Sequence, residues 1–372
     1  MRIAQVAPLY ESVPPKFYGG TERIIHYLTE ELVRRGHDVT LFASGDSKSS
    51  ARLESGCPRA LRLNKGVSGD FAYHLIMFEK VLRDPGRFDI IHSHVDFLPY
   101  GMYRRQPVPV VTTLHGRLDI PELRHVYNEF SDMPLVAISR SQRQPLPEAN
   151  WQATIHHALP ENLYRPAEKP GNYLAFLGRL SPEKRIDRAV EIAKRSGMRL
   201  RIAAKIDPRD QDYFREIKPL LRHPLVEFVG EIGENEKNDF LGEARALLFP
   251  IDWPEPFGLV VIEAMACGTP VVAFRKGAVR EIIEDGVSGF IVDNVEEAVA
   301  AVKKAGIMNR TKIRRQFEKR FTVSRMADEY IRVYHDVIAQ YASIPGSGER
   351  TNGRDHPGQK PVLHPHKLFT GR

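Results

Sequence analysis

Cysteine is almost absent from this chain: Cys57 and Cys267 are the two in 372 residues. That excludes a disulfide-stapled secreted scaffold and suits a reducing compartment; Cys267, which follows an apolar helical run, reads as a small core residue. No stretch approaches about 18 uninterrupted apolar residues, so no membrane span is expected. Met1 to Ala7 is too short and too strand-like for the apolar core of a secretory leader, and the expected location is cytoplasmic. A strong charge bias is missing as well. Lys plus Arg number 54 against 47 Asp plus Glu, a net +7. Residues 344–372 hold five basic and two acidic side chains and so carry +3, while residues 1–165 are nearly balanced at 20 basic and 18 acidic. No folded segment is basic enough to imply a nucleic-acid partner. The first strand–helix junction lacks G-x-G-x-x-G, which argues against a dinucleotide-dependent oxidoreductase.

What is present is an α/β alternation long enough for two doubly wound domains. A strand over Arg2 to Ala7 is followed by a helix from about Thr21 to Arg35 with the apolar stripe Ile24, Ile25, Leu28 and Leu32, then by a strand over Val39 to Ala43. Apolar runs at 89–93, 108–114 and 134–138 continue the pattern, as buried parallel strands do. The stretch Arg165 to Asn172, with two prolines and a glycine, reads as a linker. The alternation restarts beyond it, with strands expected at 173–177, 199–204, 225–229, 246–249, 270–274 and 289–292. A final helix over 323–341 places Met326, Tyr330, Val333, Tyr334, Val337 and Ile338 on one face and must pack on something. The expected division is 1–165, 166–322, the helix at 323–343, and a disordered basic tail at 344–372.

Chemistry concentrates in Pro254-Glu255-Pro256-Phe257-Gly258-Leu259-Val260-Val261-Ile262-Glu263-Ala264-Met265-Ala266-Cys267-Gly268-Thr269-Pro270. From Phe257 to Cys267 every residue but Glu263 is apolar or glycine. A carboxylate in such a helix costs several kcal/mol unless it is hydrogen-bonded, so either a polar ligand or a neighbouring Arg is implied. Glu255 precedes a helix start at which the N–H groups of Phe257, Gly258 and Leu259 can face a ligand's oxygens. Gly178-Arg179-Leu180-Ser181-Pro182-Glu183-Lys184-Arg185 forms a second site. Ser181 as N-cap and Pro182 at the first helical position would set Lys184 and Arg185 in the first turn, against the helix dipole, an arrangement that a bound anion relieves. Alternatively these are solvated charges paired with Glu183. A third site is Gly19-Gly20-Thr21-Glu22-Arg23 at the opening of the first helix, where paired glycines allow close backbone approach and Glu22-Arg23 could form a local ion pair. His115 ends an apolar strand, the place where α/β sheets put ligand-contacting groups.

Glu255 and Glu263, eight apart around a Pro-Phe-Gly turn and running into Ala-Cys-Gly-Thr-Pro-Val-Val, resemble the E-x7-E signature of retaining glycosyltransferases of family 4, which have the GT-B fold. Gly178-Arg179-Leu180 with Lys184 is similar to that family's Gly-Arg-Leu-x-x-x-Lys motif. The resemblance spans roughly residues 1–340. It implies an N-terminal acceptor domain, a C-terminal nucleotide-sugar domain, and a last helix that crosses back to brace the former. It also implies site roles. Glu263 would hold the nucleotide's ribose, Glu255 the donor sugar's hydroxyls, Arg179 and Lys184 the diphosphate, and His115 would face the sugar. Gly19 and Gly20 would line the cleft near the donor phosphate and the acceptor, Phe257, Gly258 and Leu259 would turn N–H groups to the donor, and the base would lie near Val229-Gly230-Glu231. UDP-glucose is the first donor expected and GDP-mannose the second. No metal or cofactor is expected, and the acceptor is a hydroxyl on a carbohydrate, lipid-linked or small molecule. His156-His157 departs from the family, which commonly shows Asn-Gly there.

Other readings are weaker. Asp210-Gln211-Asp212 has the form of a metal-binding D-x-D but sits at a helix start, where acids are favoured anyway. His92-Ser93-His94 and His156-His157 lack acidic or Cys partners at ligand spacing. The eight basic residues between Lys303 and Arg320 read as a solvated helix face before a peripheral membrane contact. A nucleotide-sugar epimerase would need acid and base carboxylates beside the sugar, for which Glu255 alone is too few. A catalytically silent partner subunit would not need Arg179, Lys184, Glu255 and Glu263 together.

Overall fold

Two all-parallel sheets form the framework. The first contains β1 (Arg2–Val6), β2 (Asp38–Ser44), β3 (Arg52–Cys57), β4 (Ile90–Ser93), β5 (Val110–Thr113), β6 (Leu135–Ala137) and β7 (Trp151–Thr154) in the order β3-β2-β1-β4-β5-β6-β7. The second contains β8 (Tyr173–Arg179), β9 (Arg199–Lys205), β10 (Val226–Gly230), β11 (Ala246–Phe249), β12 (Val271–Phe274) and β13 (Gly289–Val292) in the order β10-β9-β8-β11-β12-β13. Helices α1 (Gly20–Arg34), α2 (Asp70–Leu82), α3 (Tyr100–Tyr103), α4 (Pro121–Glu129) and α5 (Arg140–Arg143) belong to the first half. Helices α6 (Ile186–Ser196), α7 (Gln211–Ile217), α8 (Glu234–Gly242), α9 (Leu259–Ala266), α10 (Val279–Ile282), α11 (Val295–Ala305) and α12 (Arg310–Arg320) belong to the second, and α13 (Val323–Ala342) follows. This computed structural model describes residues 1–343 apart from 17–18, 65, 67–68 and 208–209. The tail expected at 344–372 lies outside the described residues.

The apolar runs became strands because both of their faces are covered: β11 and β12 are buried at every position, as parallel strands between helical layers must be. β3 and β7 were not legible as apolar runs. They read Arg-Leu-Glu-Ser-Gly-Cys and Trp-Gln-Ala-Thr, and they form the two edges of the first sheet, where one side needs no partner.

The last helix crosses back onto the first half, as the resemblance implied. α13 packs on α1 and β5, burying Met326, Tyr330, Val333, Tyr334 and Val337. The two chain crossings are tied to each other: Leu159 N donates to Phe321 O, and Val323 N to Leu159 O, each at 3.0 Å.

The basic run at 303–320 is not simply a solvated face. Arg310 is buried and donates to the carbonyls of Ala167, Gly242 and Ala244 and to the Thr269 hydroxyl. Arg314 donates to Glu161, Tyr164 and Ala266 carbonyls, and Arg320 to those of Glu281 and Ile282. These arginines satisfy carbonyls at the ends of α8, α9 and α10 that no helix can satisfy itself, while Lys303, Lys304, Lys312, Arg315 and Lys319 face solvent.

Candidate active site

In each sheet the strand order reverses at its first strand, between β1 and β4 and between β8 and β11. Open parallel sheets bind ligands at the carboxyl ends of strands beside such a reversal. Here the loops after β1, β4 and β5 face those after β8 and β11 across one cleft of about 680 Å³. Arg179, Lys184, Glu255 and Glu263 line one wall, and Gly19, Gly20 and His115 the other. Residues scattered over most of the chain are thereby brought to one place.

On the C-terminal wall, Lys184 Nζ is ion-paired with Glu255 Oε2. The same oxygen accepts from Trp253 Nε1 at 3.0 Å, and the Lys184 ammonium stands 5.3 Å from the centre of the Trp253 ring. Arg179, at the end of β8, contacts Glu183 at 2.5 Å and Asp210 at 3.3 Å. The local helix differs from expectation. Pro182–Lys184 is one 3₁₀ turn, Arg185 adopts a left-handed φ of 53°, and α6 begins at Ile186. Lys184 and Arg185 therefore do not sit in the first turn of an α-helix, and the dipole argument for an anion there fails. Arg185 is held instead by Asp187 and Asp252.

Phe257 and Gly258 lead into α9. Gly258 has a φ of 96°, and a Cβ there would come within 3.1 Å of the Phe249 ring, so a residue with a side chain would be strained and crowded. The turn leaves the first N–H groups of α9, beginning at Leu259, pointing out of the helix end without intrahelical acceptors. Glu263 lies one turn further in and is buried. Its partners are protein groups: Lys237 Nζ at 2.7 Å and Arg23 Nη1 at 3.3 Å. Burial pushes its pKa up, but Lys237 and Arg23 more than offset this and hold the carboxyl below its ordinary value. Of the two readings open from sequence, the buried partner is the one found, and the burial of Glu263 by itself does not require a ligand.

Arg23 does not pair with Glu22. It reaches from α1 across to Glu234 and Glu263 of the other half. The N-termini of α1 and α9 meet here, Gly20 lying against the Leu259 side chain, so two positive helix ends open on one cleft. Glu22, buried beside Glu11, has its carboxyl pushed up to about 7, chiefly by desolvation. His115 is partly open to the cleft, and desolvation lowers its pKa to about 3, so the ring is neutral.

Two features singled out in the sequence are rearranged. His92 and His94 are both buried. His94 Nδ1 lies 2.9 Å from His115 Nε2, and His115 Nδ1 lies 3.4 Å from His157 Nε2. Asp210 faces Arg179, whereas Asp212 turns outward to Arg215. Among the described residues no group of three or more His, Cys, Asp or Glu is arranged to hold a metal ion. Gly230 ends β10 with a φ of 82° and is itself outside the cleft lining, to which its neighbours Glu231 and Ile232 contribute.

Lys237 and Glu234 escaped the sequence reading, and His94 and His157 were weighed there only as metal ligands, not as neighbours of His115. Lys237 is 26 residues from Glu263 on a different helix, and no local pattern joins them. Among the described residues no helix is long and apolar enough to cross a membrane.

Two family models match the chain, Glycosyltransferase Family 4 over residues 18–154 and Glycosyl transferases group 1 over residues 164–321. The D-inositol 3-phosphate glycosyltransferase of Mycolicibacterium smegmatis is 25% identical over a 413-residue alignment covering 90% of this chain and 91% of its own. The protein of that name from Thermobispora bispora is 26% identical over 287 residues, and the match spans 63% of this chain and 65% of the relative, just under two thirds of its length. Anabaena Alr3699/HepE in complex with UDP-glucose superposes with a TM-score of 0.71 at 18% identity, covering 90% of this chain and 100% of that one. At such identity the likeness speaks for the fold alone. Family matches over both halves, two parallel sheets facing a cleft and a last helix that crosses back make this chain a GT-B glycosyltransferase of the family 4 type.

Proposed function

We propose that the enzyme is a retaining, metal-independent glycosyltransferase that moves a hexose from a nucleoside diphosphate sugar, UDP-glucose first and GDP-mannose second, to an acceptor hydroxyl. The observation that carries the reading is the Lys184–Glu255 ion pair, set with Arg179 and the N-terminus of α9 on one wall of the cleft and the N-terminus of α1 on the other. Cations and helix N–H groups converging there suit a diphosphate. In this reading Lys184 and Arg179 take the diphosphate, Glu255 takes sugar hydroxyls once Lys184 is shared with the phosphate, Glu263 takes the ribose, and His115 faces the sugar. The acceptor enters from the N-terminal half. The relatives named for D-inositol 3-phosphate make a phosphorylated cyclitol one candidate, beside sugar and lipid-linked hydroxyls.

The reaction breaks the bond from C1 to the diphosphate oxygen. The acceptor oxygen attacks C1 from the same face, and its proton passes to the departing phosphate oxygen. Charge builds on the leaving group as the bond stretches, and preorganised cations and N–H dipoles stabilise that charge more than they stabilise the ground state.

A thermal-shift panel of nucleotides and nucleotide sugars, run with and without EDTA, tests the donor. A donor at about 100 times its dissociation constant stabilises by about 2.7 kcal/mol. The expected result is a shift with UDP-glucose or, next, GDP-mannose that EDTA leaves unchanged. Absence of a shift with every nucleotide diphosphate, or a shift abolished by EDTA, would overturn the donor or the metal independence respectively.

A further inference from the structure

His92, His94, His115 and His157 lie in the strand ends and the segment beyond β7, yet adjacent rings in the series are 4.0, 5.2 and 5.2 Å apart between centroids. Hydrogen bonds run along this column and fix one another. Gln5, on β1, donates from Nε2 to the Tyr334 hydroxyl at 3.0 Å. Its Oε1 therefore faces His94 Nε2, at 2.8 Å. A carbonyl oxygen can only accept, so the proton of the neutral His94 ring is on Nε2 and Nδ1 is a lone pair. The 2.9 Å contact between His94 Nδ1 and His115 Nε2 then needs its proton on His115 Nε2, and neutral His115 is left with an unprotonated Nδ1.

That nitrogen accepts from His157 Nε2 at a long 3.4 Å, and the chain ends on His157 Nδ1, which is buried with no partner. Reversing every tautomer would place an N–H at this buried end instead of a lone pair, the costlier orphan. At the other end Gln5 Nε2 also lies 3.3 Å from His92 Nδ1, so an accepting Nδ1 suits both that amide nitrogen and the Tyr334 hydroxyl 2.7 Å away, and leaves His92 Nε2 to donate to Thr113 Oγ1 at 2.7 Å. Tyr334 on the crossover helix and His92 thus face the Gln5 amide nitrogen together.

We propose that Gln5, oriented by Tyr334, and His94 are positioning residues that fix His115 as its Nε2–H tautomer, so that Nδ1 accepts a hydrogen bond from a hydroxyl of the donor sugar. The ligand named here rests on the donor reading above; the tautomer does not. The direction of that hydrogen bond matters to the chemistry. An accepting nitrogen leaves electron density on the sugar as C1 becomes cationic, whereas an N–H would withdraw it. The long contact with His157 is the one a sugar hydroxyl displaces.

Long-range ¹H–¹⁵N correlation spectra of ¹⁵N-histidine-labelled protein at neutral pH, without ligand, report which nitrogen of each ring is protonated. Wild type is expected to show His94 and His115 as single Nε2–H tautomers. Gln5→Leu is expected to leave both as mixtures, and to lower kcat roughly tenfold with KM little changed, as loss of one oriented hydrogen bond does. His115 found as Nδ1–H in wild type overturns the proposal, and so does an unaltered His115 tautomer in Gln5→Leu. Should Gln5→Leu fail to fold, Tyr334→Phe removes one of the two groups that face the amide nitrogen and is expected to shift both rings toward the same mixture. Because the spectra need no donor, they decide the relay separately from the donor reading, which falls if His115→Ala transfers sugar at the wild-type rate.

Discussion

Glu263 carries a negative charge with 3% of its surface exposed, and what makes that tolerable is the pair of cations on Lys237 and Arg23. Breaking one side of a buried pair leaves an uncompensated charge and typically costs about 3 to 5 kcal/mol. Glu263→Gln is therefore expected to lower the stability of the unliganded protein by about 3 kcal/mol, measured by chemical denaturation; an unchanged stability would mean that the carboxylate is held for ligand alone. The sequence made this residue conspicuous, because one carboxylate among ten apolar or glycine residues has to be answered for. It did not show the answer. Lys237 and Arg23 belong to other elements, and only the packing of α1, α8 and α9 brings them within reach. His157 was visible as a departure from the family pattern, but its contact with His115 was hidden for a similar reason, since the two lie 42 residues apart in different segments.

The parallel strands at the centres of the sheets were legible as short apolar runs because burial on both faces writes itself directly into composition. The edges, β3 and β7, were not, because half-covered strands carry polar residues. The turn at 181–185 was misread for another reason. Ser-Pro-x-x is a good α-helix start, but Arg185 takes a left-handed conformation that delays α6 by one turn and delivers Lys184 to Glu255. α12 shows how a charged run can be structural: Arg310 donates to the carbonyls of Gly242, Ala244 and Cys267 and to the Thr269 hydroxyl where α8 and α9 end, and to the carbonyl of Ala167. Replacing it with Met would leave several of those acceptors dry, at a cost of roughly 2 to 4 kcal/mol. A denaturation midpoint equal to wild type in Arg310→Met would show that water satisfies them. By contrast Lys312→Ala and Lys319→Ala, on the solvent face, should change stability by no more than about 0.5 kcal/mol.

At the scale of the molecule, the buried histidine column sets a pH limit. His92, His94 and His157 stay neutral in the fold because burial and their neighbours push their pKa well down. In the unfolded chain they take up protons below about pH 6.5, so each removes up to about 1.4 kcal/mol of stability per pH unit below that point. Glu22 works the other way. Its carboxyl stays protonated in the fold up to about 7 but ionises above about 4.5 when unfolded, so its contribution grows as pH falls through that window. His115, whose pKa desolvation lowers to about 3, is a fourth group of the first kind, and Asp96, whose carboxyl desolvation raises to about 6, is a second of the other kind. Four groups against two give a net loss of roughly 3 kcal/mol per pH unit on acidification between about pH 6 and 5. Thermal melts across that range should fall steeply, and a flat profile would contradict the neutral column. The two halves meet where these groups lie, with Arg23 bridging to Glu234 and Glu263 and α13 bracing the first sheet, so the cleft and the column belong to one packed unit. Its division into two α/β halves with a returning helix was readable from periodicity and motif, while the facing of the two walls needed the fold. The central claim is that Lys184 and its neighbours stabilise charge on a departing diphosphate. The most direct test is the turnover of Lys184→Ala against wild type with the donor that the thermal-shift panel selects. The expected result is a kcat lower by about 100-fold or more in a protein that still melts cooperatively; turnover close to wild type in that variant would contradict charge stabilisation by Lys184.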